Sequence, residues 1–361
     1  MKEKVMSAAV VIFALAMAVK PVETVTSARA AMQICANSLV PALFPFFVCT
    51  FFLTQLGTLT AVSKKLSKLM KPLFGVSGTG AMPFLMGIVG GYPVGAKICA
   101  KLTQNGDLSK SEAEKLLAFC NNSGPLFVLG AVGGGMIGNG KMGLCLYVSH
   151  IMAALTVAFM LRGIKCNINP AKSGVIPDSK VRKINFGECL GSCISDAAES
   201  TVKICGYVIL FKIIMGILSG FVKNKKVMLV LYSAFEVSGG CSMATEMLHA
   251  NPQVMCMAIS AIIGWSGFSV HMQVLTETSY AGLKLKKYFA GKLIMTVLSP
   301  VYTLAIMKIL PLKTDVTVFA SNLPQLYSFG IGTALVTVCV TVVIILVVSA
   351  FISRNKFSNT Y

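Results

Sequence analysis

The chain has 361 residues, of which 55% are hydrophobic and 12% charged, and a mean hydropathy of +0.76. That balance excludes a soluble domain built round one core, so lipid must serve as solvent. The formal net charge of +19 does not indicate nucleic acid, because no basic face is interleaved with exposed aromatics.

The basic residues gather between apolar stretches: Lys64, Lys65, Lys68 and Lys71; Arg162 to Lys183; Lys284, Lys286 and Lys287; Arg354 and Lys356. They read as topology signals held on the cytoplasmic side. The 12 cysteines lie mostly in apolar runs and show neither a CxxC pair nor a His-bearing zinc spacing. Cys189 and Cys193, four apart, read as helix-face packing, and no metal or cofactor is expected.

In chain order, residues 5–19 are apolar behind Lys2 and Lys4, in the manner of a signal peptide, and are read as a retained first helix. Residues 31–56 form the next apolar segment, with Pro41 and Pro45 predicting a kink between Leu39 and Phe46. A basic loop follows. Residues 82–102 are a span broken at Gly90-Gly91. Ser109-Lys110-Ser111-Glu112 predicts a capping box that opens a helix, which stops at Asn121 to Pro125 and resumes over 126–137. Those halves are too short to cross separately and read as a re-entrant hairpin. Residues 143–161 close the first half.

Residues 162–183 form a polar connector with Pro170 and Pro177. The order then repeats: a span at 204–221, a broken span at 227–247 with Gly239-Gly240, a hairpin candidate at 255–280, and a span at 288–310. A last span is expected at 326–352. The fold class is therefore all-α polytopic membrane protein, with about eight spanning helices and two re-entrant hairpins in inverted-topology repeats. The predicted units are an N-terminal helix (1–30), a first repeat (31–161), a basic connector with an amphipathic segment (162–203), a second repeat (204–310) and a C-terminal helix and tail (311–361). With the amino terminus inside, most large basic clusters fall inside too; Lys223, Lys225 and Lys226 are exceptions, and Lys101, Lys110, Lys115 and Lys141 fall on the same outer face.

Paired interrupted spans point to a transporter's midplane site. Aligning the glycine pairs sets Lys97 opposite Glu246. Lys97 serves either as a counter-ion for an anionic solute or as an interfacial anchor. Glu236, inside an apolar run, either binds a coupling proton or cation or hydrogen-bonds the freed backbone of the broken helix. Asn121, Asn122 and Ser123 gather polar groups at one break, and Ser266, Ser269, His271 and Gln273 at the other, either to hold a solute or to satisfy one another. Gly91, Tyr92, Pro93, Gly95, Gly124, Ser238, Gly239, Gly240 and Gly267 complete the candidate solute-binding set. Trp265 reads as packing, and Asp196 and Glu199 as a solvated helix face. No G-x-S-x-G, H-E-x-x-H or P-loop motif occurs, so no enzymatic activity and no catalytic residue are expected.

Gly91-Tyr92-Pro93-Val94-Gly95-Ala96-Lys97 and Leu116-Leu117-Ala118-Phe119-Cys120-Asn121-Asn122-Ser123-Gly124-Pro125-Leu126-Phe127 resemble the YlbJ family of sporulation integral membrane proteins. The resemblance covers most of the chain and is sharpest over 41–150. The first half is also similar to the Gate, or nucleoside-recognition, domain of concentrative nucleoside transporters, ferrous-iron transport protein B and spore maturation proteins. The first resemblance implies a role in endospore formation and passage of dipicolinate toward the forespore across the outer forespore membrane. The expected function is transport of a small anionic solute. A nucleoside or other small-solute transporter and a non-transporting membrane scaffold are the rivals. The expected partners are that solute, the bilayer and a coupling proton or cation, with homo-oligomerisation left open.

Overall fold

The computed structural model describes residues 2–56, 58–168 and 186–309. The expected span at 326–352, the tail with Arg354 and Lys356, Cys339 and most of the connector lie outside them. Every regular element among the described residues is helical. Four stretches, Gly140–Gly163, Phe186–Ser219, Pro252–Ser279 and Lys286–Ile309, are long and apolar enough to cross a bilayer, and the number rises to 6 if two sharply bent pairs each count as one.

Helix α1 (Lys2–Val19) bends by 100° into α2 (Pro21–Ile34), whose Pro21 occupies a first-turn position where no amide is needed. Helix α2 continues through one wide turn, Cys35–Leu39, into α3 (Val40–Gln55). The irregularity thus falls before the predicted kink. Pro41 has no amide for the carbonyl of Asn37 and its ring crowds that carbonyl, so the disturbance appears one turn upstream, where Val40 N–H reaches back to Cys35 O.

The predicted basic loop is instead a helix, α4 (Thr58–Phe74). Val62, Leu66, Met70 and Phe74 recur every fourth residue and face inward, with Met70 and Phe74 buried, while Lys65, Lys68 and Lys71 are exposed. Loop and amphipathic helix share the same lysines; the apolar spacing distinguishes them.

The two interrupted regions of each half exchange the roles assigned from sequence. Helices α5 (Ala81–Val89) and α6 (Val94–Gln104) do not form one broken crossing but fold back side by side, so that a Cβ on Gly95 would lie 3.0 Å from Gly87 Cα. Helix α7 (Lys110–Cys120) and the wide helix Leu126–Met136 diverge on either side of the extended stretch 121–124. Helix α7 packs on α5 and α6; the wide helix packs on α8 (Gly140–Met160), backbone on backbone at Gly133 and Gly143.

The second half matches this order. After α9 (Phe186–Ser219), helices α10 (Lys225–Phe235) and α11 (Val237–Leu248) fold back at Glu236, with a Gly240 Cβ placed 2.9 Å from Ser233 Cα. Helices α12 (Pro252–Trp265) and α13 (Gly267–Ser279) diverge at Ser266, and α14 (Lys286–Ile309) closes the repeat. The hairpins therefore lie at the glycine-bearing segments and the broken crossings at the Asn-Ser-Gly and Ser-Gly segments. Glycine lets two helices of one hairpin touch, whereas a Ser-Gly break only interrupts a crossing.

The repeats interlock. Helix α6 packs against α13 and Leu126–Met136 against α11, while α8 lies along α14 and α3 along α9. Helix α9 begins at 186 rather than 204; its 34 residues span about 50 Å, more than the hydrocarbon thickness of about 30 Å, so its polar first turns lie beyond the apolar layer.

Candidate functional site

Each hairpin tip rests on the break of the following crossing. Gly91, at φ +74°, lies so close to the first break that a Cβ would meet Gly124 N at 2.7 Å. Gly267, at φ +79°, meets the second tip, with a Cβ placed 3.2 Å from Glu236 N. Both contacts need glycine for its absent side chain and for its left-handed backbone. A third glycine requirement holds the first hairpin: the Cys120 carbonyl, at the end of α7, fits between Gly87 and Gly95 where any Cβ would collide with it.

The second tip is closed by its own side chain. Glu236 is buried and caps α11: Oε1 accepts from Ser238 N–H at 2.9 Å, Oε2 accepts from Gly239 N–H at 2.6 Å, and the Ser238 hydroxyl lies 2.7 Å from both oxygens. This is the hydrogen bond to freed backbone weighed above. The first tip has no such cap, since Pro93 stands in the position of Glu236.

The polar groups of the first break are buried and largely open. Asn122 Nδ2 donates to Phe119 O at 2.9 Å and Ser123 N–H donates to His150 Nε2 at 3.1 Å. Because that nitrogen accepts, the neutral ring carries its proton on Nδ1. The Asn121 amide, Asn122 Oδ1, Ser123 Oγ and His150 Nδ1 are buried and make no hydrogen bond of good geometry, with the Tyr288 hydroxyl facing Asn121 and the Tyr92 hydroxyl facing Ser123. Buried polar atoms are normally paired, so such a cluster marks a site for something else.

At the second break Ser266 adopts φ +76°, the sole non-glycine residue with positive φ among those described. Its hydroxyl donates to Ile263 O at 3.1 Å and accepts from Lys292 Nζ at 3.2 Å. Lys292, on α14, also donates to Asn121 O at 2.7 Å, so one fully buried lysine joins the two breaks. Sequence reasoning missed Lys292. Its signal was a lone lysine nearly two turns into a long apolar helix beyond Lys284, Lys286 and Lys287, a continuation of that cluster by eye but inside the span by count. His150 was missed in the same way.

His271 sits in an aromatic enclosure, 4.4 Å from the Trp265 ring centre, with Nδ1 2.8 Å from the Tyr288 hydroxyl and Nε2 unpartnered. The Trp265 indole N–H donates to Ala234 O at 3.0 Å, which makes it a brace for the second hairpin. Gln273 is buried with Oε1 unpartnered, and Ser269 is buried on α13.

Lys97 is not brought to this junction. It is the fourth residue of α6, half-buried, with Nζ 5.7 Å from the centre of the Phe51 ring, whereas Glu246 is the tenth of α11 and exposed. The alignment of glycine pairs was about a turn out: Gly95 and Gly240 play like roles between hairpin limbs, while Gly90-Gly91 lie at the tip itself. Lys97 belongs with Glu199, Lys203 and Glu277 along the seam between α6, α9 and α13, where Lys203 Nζ lies 2.7 Å from Glu199 and 3.2 Å from Glu277. Among the described residues no group of three metal-ligating side chains forms.

Residues 36–162 match the family model described as nucleoside recognition, Gate, and so cover the first repeat from the wide turn to the end of α8. The chain is 29% identical to the sporulation integral membrane protein YlbJ of Bacillus subtilis (strain 168), over 76% of this chain and 74% of the relative. The chain is YlbJ-like. No solved structure matches it. With its apolar helices and paired interruptions, it is an integral membrane protein of transporter-like build.

Proposed function

We propose that the chain transports a small anionic solute through the junction of its two hairpin tips and two breaks, and carries out no covalent chemistry. The observation that carries this reading is the set of unpartnered polar atoms on Asn121, Asn122, Ser123 and His150, buried where four backbone interruptions converge. Such atoms can replace the hydration shell of a solute at mid-membrane. A scaffold has no use for them, and leaving them bare costs about 1 to 3 kcal/mol each.

The likeness to YlbJ makes endospore formation the setting, the outer forespore membrane the location and dipicolinate the first solute to try. A second reading, a nucleoside, draws on the Gate description and on the rings of Trp265, His271, Tyr288 and Phe289 beside the second break. Uptake of labelled dipicolinate, simple dicarboxylates and nucleosides into proteoliposomes tests both. Saturable uptake of a carboxylate, with no competition by nucleosides, is the expected result; saturable nucleoside uptake alone replaces the first reading with the second, and uptake of neither removes both.

A further inference from the structure

Lys292 has three N–H donors and two hydrogen-bond acceptors, the Asn121 carbonyl and the Ser266 hydroxyl, both neutral, and its remaining face lies over the Tyr288 ring, 6.0 Å from the ring centre. It is fully buried and forms no ion pair among the described residues. Glu236, the carboxylate at the second hairpin tip, is already committed to two backbone amides and a hydroxyl. Holding that amine in its charged form costs several kcal/mol, and a bound anion would remove most of the cost.

Ser266 supplies an independent sign. A left-handed position favours glycine, and a serine there carries strain of about 1 to 2 kcal/mol. The neighbour at 267 is glycine, so the chain tolerates glycine at the break; the hydroxyl at 266 is what a glycine could not supply, and that hydroxyl contacts Lys292.

We propose that Lys292 is the charge-selecting residue of the junction and that the site takes a small mono- or dicarboxylate. One carboxylate oxygen would replace the Asn121 carbonyl and the Ser266 hydroxyl as acceptors for Nζ, with Asn121 Nδ2, which faces the Tyr288 hydroxyl, as a further donor. The bond from Lys292 to Asn121 joins α14 of the second repeat to the first break. An entering carboxylate therefore loosens a tie between the repeats as it binds, linking occupancy to their relative freedom. This inference rests on the junction being the transport pathway.

The test uses the full chain in neutral-lipid proteoliposomes, with pyridine-2,6-dicarboxylate and its uncharged isostere pyridine-2,6-dicarboxamide as probes. Wild-type protein is expected to bind the dicarboxylate about 10- to 100-fold more tightly than the diamide, the range for a hydrogen bond to a charged group. Lys292→Gln keeps a donor for Asn121 and Ser266 but removes the charge, and is expected to erase that preference while keeping a monodisperse, thermally stable protein. Wild-type preference retained in Lys292→Gln overturns the inference and leaves the transport reading standing. Absence of binding and uptake of any carboxylate by the wild type overturns the anionic-solute reading, and this inference with it. Should Lys292→Gln not fold, the wild-type comparison decides: equal affinity for the two probes overturns the assignment, and a dicarboxylate preference supports it.

Discussion

The two tip-on-break contacts have the same backbone plan and opposite chemistry. In the first, an uncapped glycine tip, Gly90-Gly91, rests on a break whose side chains are buried and unpartnered. In the second, Glu236 caps its own helix, and the break at Ser266 is engaged by Lys292. Repetition preserves what sterics demand, a glycine wherever backbone meets backbone, and leaves the polar groups free to diverge. One tip is left uncapped over open polar groups, and the other is closed by its own carboxylate.

The largest expected effect tests the shared backbone plan. Gly87→Val or Gly95→Val drives a side chain into the Cys120 carbonyl and should destabilise the protein by about 3 kcal/mol or more, at the upper end of overpacking. Loss of the monodisperse peak in detergent size-exclusion chromatography is the readout. A normal elution profile and melting temperature would mean that the first hairpin does not enclose α7.

Glu236→Ala removes the acceptor of two backbone amides and one hydroxyl and should lower stability by about 1 to 3 kcal/mol. Glu236→Gln is the sharper variant. It turns an NH2 toward one of the amides, so it should still cost about 1 kcal/mol while keeping solute affinity. If Glu236 also couples transport to protons, the same variant abolishes the pH dependence of uptake; an unchanged pH profile restricts Glu236 to its cap.

Ser123→Ala deletes a buried oxygen that faces the Tyr92 hydroxyl but makes no hydrogen bond of good geometry. Melting temperature should hardly move, whereas solute affinity should fall about tenfold, the worth of one hydrogen bond of roughly 1 kcal/mol or slightly more. A stability loss without an affinity loss would show that Ser123 serves packing rather than the solute. The smallest effect is expected at Lys97→Met, since its ammonium faces Phe51 and Glu199 rather than the junction. Affinity within about twofold of wild type is expected, as for a half-exposed charge; a tenfold loss would place Lys97 on the solute path.

Much of the fold was legible because membrane constraints are coarse. Long apolar runs, glycine pairs and Ser-Gly dipeptides marked the four interruptions that meet at the junction, though not the bend after α1 or the wide turn at Cys35–Leu39. The sequence could not say which interruptions turn back, because reversal depends on whether two helices find a glycine face on each other, as Gly87 and Gly95 do and the 121–124 stretch does not. The site was legible where polar residues stand in breaks, at Asn121 to Ser123 and at Ser266. It was not legible at His150 and Lys292, which lie within regular helices and enter the junction only through the packing of α8 and α14. Lys97 misled for the converse reason: it follows an interruption closely, but its helical phase turns it outward.

The Cys120 carbonyl between Gly87 and Gly95 has a mechanical consequence. A contact with no side chain to give way cannot slip, so α5, α6 and α7 must travel as one rigid block. Any rearrangement that opens the junction to alternate faces of the bilayer then has to be taken up elsewhere, and the seam from α6 and α13 to α9 is the natural place. There the partners are Lys203, Glu199 and Glu277, charges on long flexible stems that can be traded one for another without leaving a void.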